Sequence, residues 1–369
     1  MPSSTANKSA PFWLLVVITL TGTLAMHMFV PALPDVARSF GVSKAEMQLT
    51  VTVYIVGMAF GQLIYGPMSD GLGRRRMLLI GMSVFSVAGL AAAMAPGVKS
   101  LIAARLLQAL GGCAGLSLGR AIVRDVAKPS NMVKDLASLN VAMVIGPGLA
   151  PLVGSWLTTW FGWRSLFVLL ASVGVLVLLL IWRLLPETSR PSGKVNFSIM
   201  ARDATRLLRM PSFVGFTITG GCATASLYAF IVAAPFIISF QLQRPLHETG
   251  LYLGVMILNA SLGSFITRHL SHRVAAVKIL MTANLVAITC AVMLLVIALF
   301  GTVTMVNLMG PMFLLTLAAG TSSPAALTKA LEVDSQMVGS ASGLYGFTQM
   351  AIGAICTVAV GLFEDPAVG

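Results

Sequence analysis

The sequence predicts an all-α integral membrane protein made of two pseudo-symmetric helical halves. Three observations predict this class. They are the low content of charged residues, a series of apolar windows long enough to span a membrane, and a short internal repeat. Of the 369 residues, 57% are hydrophobic and only 10% are charged, and the mean hydropathy is +0.91. Because a soluble domain carries about 25% charged residues, this composition excludes an ordinary cytosolic enzyme and a disordered or collagen-like chain.

The apolar windows recur along the whole chain. A membrane helix needs about 20 apolar residues to cross about 30 Å of hydrocarbon. Eleven windows meet this requirement: 12–33, 45–68, 77–95, 100–123, 137–160, 163–185, 212–240, 247–267, 275–300, 303–327 and 336–362. No small-residue cleavage site follows the first window, so we expect an uncleaved first helix rather than a signal peptide.

The basic residues indicate the orientation of these windows. With the N-terminus in the cytoplasm, most of the 24 Lys and Arg residues lie in loops on the cytoplasmic side, as the positive-inside rule predicts. The net charge of +12 is therefore explained by topology, and we expect no nucleic-acid partner.

A long polar connection divides the windows into two groups. A faint repeat supports the division, because Gly61-Gln62-Leu63-Ile64 and Gly263-Ser264-Phe265-Ile266 each precede a basic cluster. Repeated halves of about six helices are a common transporter design. We predict a cytoplasmic tail at 1–11, an N-terminal six-helix half at 12–185, a cytoplasmic linker at 186–210 and a C-terminal half with five spans at 211–369.

The strongest local pattern lies at the cytoplasmic end of the second window. It consists of Gly66, Asp70, Gly73, Arg74, Arg75 and Arg76. Glycine permits tight turns and close helix approach. Asp70 is placed to pair with the arginines or to cap a neighbouring helix N-terminus. The structural alternative is a basic cytoplasmic loop with one solvated acid.

An arginine in the fourth window is the clearest candidate for chemistry. A cation inside a span costs about 2.5–3.5 kcal/mol on insertion scales and by default marks a functional interior site. Gln108 lies one turn further along the helix, on the same face as Arg105. Two structural alternatives are that Arg105 snorkels towards the outer interface, or that it joins helices through backbone carbonyls.

The fifth window contains four residues that predict a bent helix: Gly146, Pro147, Pro151 and Gly154. Proline removes a helix hydrogen bond, which membrane proteins tolerate where neighbours or a cavity compensate. The functional interpretation is a bend that seals or rocks against the other half. The alternative is ordinary packing of small residues.

These motifs resemble, in the same order, those of major facilitator superfamily (MFS) transporters. The stretch 61–76 is similar to the signature between the second and third helices, and Arg105-Leu-Leu-Gln108-Ala-Leu-Gly111 to the R-x-x-Q-G motif of the fourth. The stretch 146–154 resembles the G-P-x-x-G antiporter motif of the fifth helix. Similarity at 28–34, 162–167, 185–188 and 339–343 narrows the resemblance to the bicyclomycin-resistance (Bcr/CflA) branch of the drug:proton antiporters.

The resemblance implies an MFS fold and a monomeric carrier of the bacterial inner membrane. Such a carrier exports small amphipathic or apolar substrates in exchange for protons, by alternating access. Asp70 and the three arginines after Gly73 would hold the cytoplasmic gate, and Arg105 with Gln108 would organise the proton-linked site. The sequence contains no phosphate-binding loop or metal-spaced Cys/His cluster, so we expect no enzymatic activity, no metal and no cofactor.

The first window departs from the family pattern. Related sequences read D-M-Y-L-P-A-L-P where this chain reads His27-Met-Phe-Val-Pro-Ala-Leu-Pro. No Asp or Glu lies inside an apolar window of the N-terminal half. His27, a residue type with an ordinary pKa of about 6.5, is then the candidate for the proton-binding group. The alternative is a neutral, hydrogen-bonded histidine in a substrate cavity.

Further candidates for the substrate cavity are aromatic, flexible or amide side chains within the windows: Met26, Asn140, Tyr228, Phe230, Asn259, Tyr345 and Gln349. An amide inside a span more often joins helices than binds a ligand. The chain has 21 methionines, which suit a pocket that repacks around varied apolar ligands and are equally common as core filler.

Two alternatives to the exporter hypothesis stay open. The family has twelve helices, whereas only eleven windows are evident and a twelfth is missing. A truncated or degenerate, non-transporting membrane protein is therefore one alternative. A proton-coupled uptake carrier is the other, because it shares every motif except that of the fifth helix.

Overall fold

The computed structural model describes residues 11–126, 132–189, 193, 195, 197–271, 273–300, 304–334 and 337–362, so most of the predicted tail lies outside it. The regular elements of this part are α1 (Phe12–Phe29), a 3-10 turn (Val30–Ala32), α2 (Leu33–Phe40), α3 (Lys44–Leu72), α4 (Arg74–Ala93), α5 (Val98–Val126), α6 (Met132–Phe161), α7 (Arg164–Leu184), α8 (Phe197–Leu208), α9 (Pro211–Phe236) with a π-helical extension (Ile237–Gln241), α10 (Leu246–Leu270), α11 (Ala276–Phe300), α12 (Met305–Glu332) and α13 (Val338–Leu362). They form eleven spans long and apolar enough to cross a membrane. The predicted all-α membrane fold is therefore confirmed.

The first span is longer than predicted. The window 12–33 ends too early, because α1 continues through the 3-10 turn into α2 and reaches Phe40. Pro31 lies in the turn and Pro34 in the first turn of α2. A proline at the start of a helix loses no hydrogen bond, since those N–H groups have no partner within the helix. The span ends at Gly41, whose φ of 65° is the left-handed conformation that terminates helices.

In each half, the fourth membrane-spanning helix packs against the first three. α5 packs against α1, α3 and α4, and α12 packs against α9, α10 and α11. The repeated glycines share a role in this arrangement. A Cβ at Gly61 would clash with Cys113 of α5, and a Cβ at Gly263 would clash with the Leu317 carbonyl of α12. The short repeat therefore marks the close approach of the second helix to the fourth in each half.

One outer face differs between the halves. α7 packs against α4, whereas in the part of the chain that the structure describes no helix packs against α11 in the same way. α11 consequently exposes apolar side chains over most of its surface, including Met281, Leu285 and Phe300. A helix that is apolar all round is typical of a lipid environment.

The two halves meet through two helix pairs, α3 with α13 and α6 with α10. In the first pair, the hydroxyls of Thr52 and Thr357 share a hydrogen bond of 2.8 Å. The rings of Phe60 and Phe347 lie in the same interface, with their centroids 5.6 Å apart. These two contacts between α3 and α13 therefore lie along residues 52–60 of α3 and 347–357 of α13.

The linker 186–210 contains a helix, α8, where the sequence predicts only a polar connection. Arg206 of α8 forms an ion pair of 3.2 Å with Asp334, which attaches this end of the linker to the C-terminal half. At the other end, the Gly193 amide donates to the Gly71 carbonyl over 3.1 Å, which attaches the linker to the N-terminal half. The linker and the α3–α4 turn form what we term the basic end of the bundle, and α2 and the α6–α7 turn lie at the distal end.

Candidate functional site

Arg105 lies inside the N-terminal half, on α5, and is completely buried. Its Nη1 donates to Gln108 Oε1 at 2.7 Å and to the Ala25 carbonyl of α1 at 3.3 Å. Snorkelling is excluded because no part of the side chain is exposed. Gln108, predicted to lie on the same helix face, accepts from the guanidinium, and the alternative contact with a backbone carbonyl is also present.

Three aromatic rings surround the guanidinium of Arg105. Its Cζ lies 3.9 Å from the ring centroid of Tyr54, 5.0 Å from that of Phe29 and 5.7 Å from that of Phe167. A desolvated cation–π contact contributes about 2 kcal/mol. The Tyr54 hydroxyl donates to the Gly22 carbonyl at 2.6 Å, which fixes the closest ring. We term these three rings with Arg105 the arginine cage.

The arginine cage leaves hydrogen-bond donors unused. Within the described part of the chain, Nε and Nη2 of Arg105 and Nε2 of Gln108 are buried and have no partner. A buried donor without a partner costs about 1–3 kcal/mol, and more for a charged group. The guanidinium is therefore held by rings, one amide and one carbonyl, and no carboxylate is among its described contacts.

His27 lies near the arginine cage in sequence, on α1, but does not contact it. Its Nδ1 lies 2.8 Å from the Thr23 carbonyl, which can only accept, so Nδ1 carries a proton. Ala25 and Phe29 both face Arg105, and residues two apart on a helix point about 200° apart. The His27 side chain therefore points away from Arg105, and its Nε2 is the atom left for other partners.

The predicted gate motif forms an ion-pair cluster at the basic end. Arg74 Nη1 lies 2.7 Å from Asp70 and Nε lies 3.2 Å from Asp125 of α5, and Arg74 also donates to Ser69 Oγ. Arg75 donates to the Trp182 carbonyl of α7 at 2.6 Å. The cluster ties α3, α4, α5 and α7 together within the N-terminal half.

Two residues of the gate motif, Arg76 and Gly66, are not among the contacts described for this cluster. Arg76 is exposed. A Cβ at Gly66 would meet no heavy atom within 4 Å, so the predicted close helix approach does not occur at this glycine.

Glu187 belongs to the site, although its position in the sequence did not indicate a contact with the gate motif. Its Oε1 accepts from the backbone amides of Arg74 at 2.8 Å and Arg75 at 3.4 Å. These amides are the first of α4, whose N-cap residue is Gly73 and supplies no side chain. Glu187 therefore caps α4, the role predicted as one option for Asp70, while Asp70 takes the other option and pairs with Arg74. A carboxylate near a helix N-terminus is worth about 0.3–1 kcal/mol.

Replacing Gly73 with alanine is expected to destabilise the basic end. Gly73 has a φ of 99°, and its Cβ would overlap the Glu187 carboxylate. A non-glycine residue in such a conformation costs roughly 1–3 kcal/mol. We expect a lower thermal unfolding temperature for Gly73→Ala in detergent. Gly215→Ala is the control, because a Cβ there meets nothing within 4 Å; equal temperatures for the two variants would contradict the argument.

The glycines of α6 form close contacts with both halves. A Cβ at Gly146 would clash with Leu20 and a Cβ at Gly154 with the Met28 carbonyl, both on α1. A Cβ at Gly148 would clash with Leu258 of α10. The glycines of α6 therefore allow this helix to pack closely against both α1 and α10. Pro147 and Pro151 lie inside the helix.

The contact of α6 with α10 is close at the distal end. The Gly254 backbone lies against the Gly148 carbonyl, and Gly250 lies against Pro151 and Ser155. Arg38 of α2 adds a contact with the Phe240 ring, 5.9 Å from its centroid, across the same end. Both described glycine contacts lie in the distal half of α6, so the two halves are closed together there.

The predicted cavity residues divide into two groups. Gln349 Nε2 donates to Ser323 Oγ, and the Tyr345 hydroxyl donates to the Ser323 carbonyl, each at 3.0 Å. Tyr228 donates to Met350 Sδ at 3.5 Å. All three residues lie where α13 packs against α9 and α12.

Of the other predicted cavity residues, those that the structure describes contribute to helix packing. Asn259 joins α10 to α12, since its Nδ2 donates to the Phe313 carbonyl at 2.5 Å and to Thr316 Oγ1 at 2.9 Å. Met26 and Phe230 are buried. The side chain of Asn140 lies outside the described residues.

Comparison with known proteins gives consistent matches over the chain. The model of the Major Facilitator Superfamily matches residues 15–357. The uncharacterized MFS-type transporter YdgK of Bacillus subtilis is 32% identical over 373 residues, 98% of this chain and 91% of the relative. A bicyclomycin resistance protein homolog of Haemophilus influenzae is 26% identical over 343 residues, 92% and 86% of the two chains. Among solved structures, a bacterial homolog of the human lysosomal transporter Spinster, inward-facing and unoccupied, matches with a TM-score of 0.79 and 16% identity, over 98% of this chain and 83% of the other.

Proposed function

Because the chain belongs to the drug-efflux branch of the Major Facilitator Superfamily, we propose that it exports small, largely apolar or amphipathic compounds across the bacterial inner membrane in exchange for protons. The observation that carries the proposal is the glycine contact of α6 with α10, which closes the halves at the distal end. A contact of small residues can separate and re-form without breaking strong bonds, as alternating access requires.

The basic end is the cytoplasmic end in this proposal, so the closed distal end faces the outside of the cell. The positive-inside rule supports that assignment, because the Arg74–Arg76 cluster and the linker lie there. The ion pairs of Arg74 with Asp70 and Asp125 connect helices of one half only. Their role is to keep the N-terminal half rigid while it rocks against the C-terminal half.

Proton coupling is assigned to His27 and the arginine cage. His27 has one ring nitrogen bonded to the Thr23 carbonyl, so a proton taken up at Nε2 leaves the ring anchored. Arg105 lies on the other face of α1 and supplies a fixed positive charge. We expect His27→Asn to lose the pH dependence of export, and His27→Asp to retain it with a more acidic profile.

The test is export into inverted membrane vesicles prepared from an efflux-deficient bacterium that produces the protein. An acidic lumen is expected to drive accumulation of chloramphenicol or another apolar drug, and nigericin in potassium buffer is expected to stop it. Vesicles lacking the protein are the control. Absence of gradient-dependent flux for every compound would favour the non-transporting alternative, and flux out of the lumen would favour the uptake carrier.

A further inference from the structure

Within the membrane-spanning helices that the structure describes, every carboxylate lies near a helix end. There are 12 Asp and Glu residues in the sequence. Asp35 lies deepest, and it is within two turns of the end of α2; the others in spans lie in a first or last turn. The rest lie in α8 or in connecting and terminal segments. No carboxylate of the described helices therefore lies near the middle of a span.

The carboxylates at the helix ends are also engaged locally. Asp35 pairs with Arg38, and Glu332 pairs with Lys329 at 2.6 Å. Asp70 and Asp125 both pair with Arg74. Their charges are thus neutralised at the water interfaces and contribute little to the field at the centre of the bundle.

The buried charge within the described membrane-spanning helices is positive, and it lies about two turns from the distal end of α5. Arg105 is completely buried, and rings, one amide and one carbonyl surround it rather than an anion. Because the interior is less polarisable than water, the field of such a charge reaches neighbouring helices. Two like charges about 10 Å apart, at an effective dielectric constant of about 20, repel each other. The repulsion energy corresponds to roughly a tenfold loss of binding affinity.

We propose that the substrate cavity expected between the halves accepts neutral and anionic amphiphiles and rejects lipophilic cations. This inference rests on the proposed export function and specifies its substrate class. A cation in the cavity would meet Arg105 from across α1 and find no carboxylate to pair with. The aromatic rings of the arginine cage, which could otherwise attract a cation, already face the guanidinium.

The experiment compares compounds of different charge in an efflux-deficient bacterium. Chloramphenicol is the neutral probe, nalidixate the anionic probe and tetraphenylphosphonium the cationic probe. The parent protein is expected to raise the inhibitory concentrations of both the neutral and the anionic probe, and not that of tetraphenylphosphonium. His27→Asp places a carboxylate near the middle of the first span and is expected to raise tetraphenylphosphonium resistance roughly tenfold over that of the parent protein.

A second variant keeps the test decisive if the first variant misfolds. Gln349→Glu keeps the shape of a half-buried side chain on α13 and is expected to produce the same gain, with Gln349→Met as its uncharged control. Tetraphenylphosphonium resistance from the parent protein equal to its chloramphenicol resistance would overturn the charge rule while supporting export. Failure of parent and variants to protect against any probe would overturn the proposed function, and the charge rule with it.

Discussion

Replacing Arg105 with methionine is expected to abolish substrate export while leaving the protein at least as stable to heat as the parent. The guanidinium is buried with two unpaired nitrogen atoms, and exchanging a buried ion for an apolar side chain of similar volume is often neutral or stabilising, by about 1–4 kcal/mol. A residue kept solely for stability would show the opposite result. The measurements are vesicle export and the unfolding temperature in detergent, on the same preparation.

Two further variants make this prediction specific. Arg105→Lys keeps the charge but loses the planar group that stacks against Tyr54, and we expect partial export, because a lysine ammonium does not stack as guanidinium does. Arg120→Gln changes an exposed arginine on the same helix and is expected to have a much smaller effect. Export at the parent rate by Arg105→Met would show that the buried charge has no part in transport.

Replacing Gly154 with leucine is expected to abolish export by separating α6 from α1. The Cβ of any residue at this position would overlap the Met28 carbonyl. Backbone cannot rotate away as a flexible side chain can, so the overlap must move a whole helix. Overpacking in a tight core costs about 1–3 kcal/mol, and we expect both a lower unfolding temperature and a lower maximum rate of export. Gly154→Ala should give an intermediate loss.

The matched control for the leucine substitution is Gly310→Leu in α12. A Cβ at Gly310 would meet no heavy atom within 4 Å, and we expect export and unfolding temperature close to those of the parent. Normal export by Gly154→Leu would mean that α1 and α6 need not stay in contact during transport. The inference that the glycines of α6 are needed for close packing against α1 would then be wrong.

Hydropathy was sufficient to predict the eleven spans, because the length of an apolar window directly reflects the thickness of the bilayer. It did not predict that the first span continues beyond residue 33 to Phe40. Pro31 and Pro34 lie at helix starts, where proline does not interrupt the chain of hydrogen bonds. It also missed α8. A signal was present, because Phe197, Met200, Ala204 and Leu207 recur at helical spacing within the polar linker.

The candidate site could be predicted only in part. A charge within a span identified Arg105, because burying a cation is unfavourable and therefore informative. The rings around it come from three different helices, and sequence gives no direct measure of which faces those helices turn towards α5. Glu187 lies 113 residues from Arg74 in sequence, so its capping role depends on tertiary packing alone.

The weak bonding between the halves has a consequence for the populations of the transport states. The described contacts across this boundary are mainly glycine and apolar surface, with the hydroxyl pair of Thr52 and Thr357 as a direct hydrogen bond. Such a bond contributes about 0.5–1.5 kcal/mol. Inverting a 1:99 ratio of two states requires a differential affinity of about 10⁴, or about 5.5 kcal/mol. A boundary this lightly bonded keeps the two states within the range that binding of one proton or one drug molecule can rebalance.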